Sequence, residues 1–138
     1  MTHLLKRLGG NSGRESSMEL LFFFALSVKH ALADLYLQSK LPFGNLKLDL
    51  KNSKGYRHAL DHGALTFVVA LLFTGRFDIS ISLAMLDFLL HFFIDYVKAV
   101  VANKLKLETY SEKWWMLTTL DQILHTSCYL MYTYILFF

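Results

Sequence analysis

The sequence predicts an all-α fold: an integral membrane bundle of about four transmembrane helices. Three observations lead there. The 138 residues are 54% hydrophobic, with a mean hydropathy of +0.37, above the apolar share of ordinary soluble domains. A single Pro and seven Gly leave long stretches free of helix breakers. Four of those stretches approach the ~20 residues a helix needs to cross a hydrocarbon core.

Residues 1–17, with Lys6, Arg7, Arg14 and the glycines at 9, 10 and 13, read as a flexible basic tail in which His3 has no role. Residues 18–138 read as a four-helix transmembrane domain. The first expected span, residues 18–38, is apolar until Lys29. Basic residues, an apolar run and Ala31-Leu32-Ala33 also suit a secretory signal. Lys29 and His30 interrupt that pattern, and three more spans follow. The second span, residues 58–75, begins polar and is apolar from Leu65 to Phe73 apart from Thr66. The third, residues 79–102, contains LDFLLHFFIDYVKA, and the fourth, residues 114–138, runs apolar to the C-terminus. A soluble bundle would need polar outer faces, which the stretches Leu65–Phe73 and Cys128–Phe138 do not supply. Cys128, the lone cysteine, sits in an apolar run and reads as packing.

The net charge of +3 and pI near 9.0 come from loops, which argues for a membrane topology and against nucleic acid as a partner. Residues 39–57 carry Lys40, Lys47, Lys51, Lys54 and Arg57, and residues 103–113 carry Lys104, Lys106 and Lys113. The opposite side has only Lys6, Arg7, Arg14 and Arg76. The excess of basic residues places the two longer loops in the cytoplasm and both termini outside. Trp114 and Trp115 then mark the cytoplasmic interface, and the alternation in NLKLDLK, residues 45–51, suits a surface-lying segment.

Every expected helix also carries a polar stripe. His30, Asp34 and Gln38 are spaced four and four; His58, Asp61 and His62 open the second helix; Asp87, His91, Asp95 and Lys98 follow on the third; Asp121, Gln122 and His125 on the fourth. Spacings of three and four put each set on one face. In an up-down-up-down bundle these stripes fall at the same, cytoplasmic end. An ionisable side chain in a bilayer centre costs ~2.5–3.5 kcal/mol even on lenient insertion scales, so the stripes are expected to face one another around a shared site.

Imidazoles with carboxylates suit a divalent metal such as Zn, Mn or Fe. The expected ligands are His30, Asp34, His62, His91, Asp95 and His125, with Gln38 and Gln122 as further polar site residues. Asp34, Asp95 or Asp121 would serve as general base, and Lys98 would pair with Asp95 or hold a phosphate. His58 reads as an interfacial residue, Asp61 as a helix N-terminal charge, and Asp87 as a deeper acid that stays protonated.

The segments HALADLYLQ (30–38), the His62 region, LDFLLHFFIDYVKA (86–99) and LDQILH (120–125) resemble the small integral membrane family known as domain of unknown function 3307, over about residues 20–130. Its motifs here are His-x3-Asp-x3-Gln, His-x3-Asp-x2-Lys and Asp-Gln-x2-His. The resemblance implies about four membrane helices, a bacterial or phage source and hence the bacterial inner membrane, without an established activity. On the family pattern His30, Asp34, Gln38, His62, His91, Asp95, Lys98, Asp121, Gln122 and His125 match; His58 and Asp61 are not carried over. The pattern is similar, more distantly, to membrane-bound metal-dependent hydrolases.

Together these features point to a metal-dependent hydrolase acting on a lipid-linked or phosphorylated small molecule. Two other readings use the same residues: a proton or cation path, and a phage-encoded modulator of host membrane proteins in which the cluster serves only folding. No nucleotide-binding loop, serine-nucleophile motif or cysteine-rich zinc motif occurs in the sequence.

Overall fold

The computed structural model describes residues 12–37 and 53–138. Among them there is no strand, and four long helices are present. Helix α1 is Ser12–Ala31 and continues directly into a π-helical segment, Leu32–Leu37. Helix α2 is Ser53–Thr74, α3 is Phe77–Lys104 and α4 is Glu112–Phe137. Helix α1 starts inside the stretch expected to be a tail, and α2 starts five residues before the expected span. Hydropathy marks where an apolar run begins, and both helices have polar first turns that lie outside it. Gln38 and the NLKLDLK segment lie outside the described residues.

Helices α2 and α3 form a tight antiparallel hairpin. Gly75 takes φ +62° just past the end of α2, the left-handed conformation that glycine adopts without a Cβ penalty. Its N–H donates to the Leu71 carbonyl at 2.9 Å. The packing of the hairpin depends on Gly63: a Cβ there would lie 2.9 Å from the Ala84 carbonyl oxygen and 3.2 Å from Phe88 Cβ. Helix α4 is started by Ser111, whose hydroxyl accepts from the Trp114 N–H. The main packing pairs are α1 with α2, α2 with α3, α3 with α4 and α4 with α1, which closes a four-membered ring.

In one half of this ring the polarity is inverted relative to a soluble bundle. Leu72 is 79% exposed and Leu35 76%, whereas His62 is 0% and His91 1% exposed. Phe22, Leu26, Ala70, Leu83, Tyr129 and Tyr132 form the buried apolar core in one half of the bundle. Polar side chains fill the other half. Two helical stretches, Ser16–Leu37 and Phe77–Lys104, are long and apolar enough to cross a membrane, and only 28% of the apolar 18-residue window in each is buried inside the bundle. A core helix of a soluble protein would be mostly buried. Helices α2 and α4, whose polar residues gather in their first halves, do not pass the same test.

Candidate metal centre

The stripes of all four helices meet in one cluster. Asp34, in the middle of the π-helical segment, reaches across to α2: its Oδ1 lies 3.0 Å from His62 Nε2 and 3.3 Å from His58 Nε2. π-Helical segments recur at functional sites because the wider turn re-aims side chains. His58 Nε2 lies 3.3 Å from His91 Nε2 on α3. The His91 ring stacks on both His62, at 3.5 Å between centroids, and His125, at 4.1 Å. The closer His62–His91 stack suits neutral imidazoles, since two cations so close would repel; neutral imidazole is also the form that binds metal.

Asp95 faces both sides of this stack. Its Oδ2 is 3.7 Å from the Nε2 atoms of His58 and His91, and its Oδ1 is 3.8 Å from His125 Nε2. Asp121, buried on α4, lies 3.6 Å from His125 Nε2 through Oδ1 and receives Lys98 Nζ at 2.8 Å on Oδ2. Lys98 thus pairs with Asp121, across to α4, and not with Asp95 three residues before it on its own helix. A groove of about 210 Å³ between α3 and α4, lined mainly by Phe93, Val97, Leu117 and Leu120, has Lys98 and Asp121 in its wall. A larger groove between α2 and α3, about 500 Å³, has a wholly apolar lining that includes Leu60, Phe67, Ile81 and Met85. Leu60 and Ala64 stand on the opposite side of α2 from His58 and His62.

The fit to a metal ion can be tested on the donor set. Asp34, His58, His62 and His91 offer one carboxylate oxygen and three ring nitrogens, all within 4.8 Å of one another. Ligands held at ~2.0–2.1 Å around a tetrahedral ion lie ~3.3 Å apart. Three of the six edges, at 3.0, 3.3 and 3.3 Å, are near that length, and the other three lie within 4.8 Å, so the donors would close around an ion by modest side-chain movement. His30, an expected ligand, forms a further donor group with His91 and His125, all within 4.8 Å of one another, and also has protein partners of its own. Its Nδ1 meets the Tyr129 hydroxyl at 2.7 Å, and its Nε2 meets Gln122 Oε1 at 3.1 Å and Asp34 Oδ2 at 3.3 Å. Both ring nitrogens are engaged by protein groups, and His30 holds Asp34 in position. Gln122 assists, with its amide 3.4 Å from the same Asp34 oxygen.

His58 is the residue that the sequence reading undervalued. It is 1% exposed and central to the cluster; its spacing of four from His62 was the available signal. Asp61 is half-buried. The structure also supplies a partner for Asp87 that the sequence reading left out. Lys29 Nζ lies 2.6 Å from Asp87 Oδ2 with both side chains 3% exposed. Thr66 donates to the same oxygen at 2.7 Å, and the Tyr132 hydroxyl donates to Oδ1 at 3.2 Å. The Lys29 ammonium also sits over the Tyr129 ring, 4.7 Å from its centroid. This layer joins all four helices. Toward the far end of the bundle Phe22 packs edge-on against Phe73 and Phe137, with centroids 5.2 and 5.7 Å away.

Two comparisons give no relative: no curated protein and no solved structure matches the chain. A family match covers most of it, residues 22–138, from within α1 to the end of the chain, and includes every residue of the cluster. By that match the chain belongs to the family described as protein of unknown function (DUF3307).

Proposed function

We propose that this is a multi-pass protein of the bacterial inner membrane, with four transmembrane helices, and that its His/Asp cluster is the metal centre of a hydrolase. The substrate class is a lipid-linked or phosphorylated small molecule. One observation carries the reading: three imidazole nitrogens and a carboxylate oxygen, from three segments of chain, converge within 4.8 Å of one another, and three of their separations are near a tetrahedral edge. The inverted polarity in one half of the bundle supports the membrane setting, since there apolar side chains line the outside and ionisable ones the inside.

Asp34, His58, His62 and His91 would hold the ion. A divalent metal there would stabilise developing negative charge, and water would be activated near neutral pH at a coordination position beyond these four ligands. His30 and Gln122 orient Asp34. Asp95 lies next to the ligand nitrogens, 3.7 Å from His58 and His91. Lys98 is placed to neutralise a phosphate, because its ammonium lies at the boundary between the cluster and the α3–α4 groove. The polar layers end against Phe22, Phe73 and Phe137, which favours a closed site over a proton or cation path through the bundle.

Elemental analysis of detergent-purified protein beside a His62→Ala, His91→Ala variant, with phosphate release from lipid-linked phosphates as the activity, tests the proposal. The expected result is bound metal in the parent, none in the variant, and hydrolysis abolished by chelation and restored by Zn or Mn. Full hydrolytic activity in metal-free protein would overturn it.

A further inference from the structure

We infer that the cluster is built for two ions, with Asp95, Asp121 and His125 forming a second position and Asp95 shared between the two. This rests on the metal-centre reading above and deepens it. The first observation is the orientation of Asp95. One of its oxygens faces His58 and His91, ligands of the first position, and the other faces His125. A carboxylate presenting one oxygen to each of two neighbouring donor groups is the bridging arrangement of two-metal sites, whose ions sit ~3.5–4 Å apart.

The second observation is independent. Asp121 is held by one oxygen only: Oδ2 receives Lys98 and the Gln122 amide, at 2.8 and 3.3 Å. Its Oδ1 is buried and has no hydrogen-bond partner among the described residues, although the side chain is only 4% exposed. A buried carboxylate oxygen without a donor costs ~1–3 kcal/mol or more. This one points at His125 Nε2, 3.6 Å away, and the three donors Asp95, Asp121 and His125 lie within 4.8 Å of one another. A cation between them would satisfy Oδ1 without disturbing the Lys98 contact on Oδ2.

The two positions differ in kind. Counting the shared Asp95 in each, five protein donors crowd the first and three leave the second with room for an exogenous ligand, the open coordination that catalytic metal positions keep. The second is also richer in carboxylate, which suits Mn as well as Zn. Because Asp121 and Lys98 both line the α3–α4 groove, the open coordination is on the side from which a phosphorylated amphiphile would arrive.

The test is manganese binding to metal-stripped, full-length protein in detergent, read as ions bound per chain and by electron paramagnetic resonance. Asp121→Asn, which keeps the side-chain shape, and His125→Ala are compared with the parent after helicity confirms folding. The parent is expected to bind two ions with an exchange-coupled spectrum. Either variant is expected to bind one, with the spectrum of an isolated ion. One ion in the parent, or two in a folded Asp121→Asn variant, would overturn the second position and leave the first intact. No ion in the parent would overturn both this inference and the metal-centre reading.

Discussion

Removing the Lys29 ammonium while leaving Asp87 in place should be among the most damaging single changes available in this bundle. At 2.6 Å the gross attraction between the two charges is about 6 kcal/mol for an effective dielectric of about 20. That attraction offsets the desolvation of two ions whose side chains are each 3% exposed. In a Lys29→Met variant Asp87 retains only the Thr66 and Tyr132 hydroxyls as donors. Breaking one partner of a buried pair costs about 3–5 kcal/mol, whereas replacing both with apolar groups is often near neutral. Lys29→Met is therefore expected to lower stability by about 3 kcal/mol or more, and Lys29→Met, Asp87→Leu together by less than the first change alone. A double-mutant cycle on reversible unfolding in mixed detergent micelles, followed by circular dichroism, measures this directly. A cost below about 1 kcal/mol for Lys29→Met, with no coupling to Asp87, is the value expected of a water-exposed pair. It would refute the burial of this pair.

Three other changes give separate readouts. Tyr129→Phe removes the hydroxyl that fixes His30, which in turn holds the ligand Asp34. A partner of a ligand is worth about 10–100-fold in metal affinity, so this group one step further out is expected to cost about tenfold, measurable by competition with a chelator; an unchanged affinity would show that His30 needs no such support. Gly63→Ala puts a methyl 2.9 Å from the Ala84 carbonyl, a backbone atom that cannot rotate away, so a loss of about 1–3 kcal/mol is expected in the same unfolding assay; a neutral result would mean that α2 and α3 separate freely. Lys98→Met is expected to raise KM for a phosphorylated substrate about 10–100-fold, the worth of a hydrogen bond to a charged group, while the metal content of the first position stays constant. A rise in kcat with KM unchanged would argue that Lys98 does not touch the phosphate.

Much of this architecture was legible in the sequence because its signal is local. A spacing of four places His30 with Asp34, His91 with Asp95 and Asp121 with His125, and the structure keeps each of these pairs on one helix face. His58 was read as interfacial because hydropathy started the second span there. The helix begins at Ser53, more than a turn earlier, so His58 lies inside the bundle. Relations between helices were harder to read. Asp95 and Lys98 look like natural partners at a spacing of three, yet Lys98 turns to Asp121 on the neighbouring helix. Lys29 and Asp87 meet only because α1 and α3 take a particular rotation about their axes, which no single-helix periodicity encodes. The four apolar stretches carried the helix count, and two of them, in α1 and α3, have the length and apolarity of membrane spans. In α2 and α4 the inward-facing polar residues dilute the same signal.

The turn at Gly75 and Arg76 constrains biogenesis. Two residues separate α2 from α3, too few for α2 to settle in a bilayer before α3 follows, so in the membrane reading the two enter as one hairpin. Asp87 then arrives on that hairpin while its counter-ion waits on α1, and each charge alone carries an insertion cost of ~2.5–3.5 kcal/mol. Neutralisation has to wait until hairpin and first helix meet. A chain arrested between those events would hold an orphaned charge in lipid, a lesion that quality-control proteases could read as incomplete assembly.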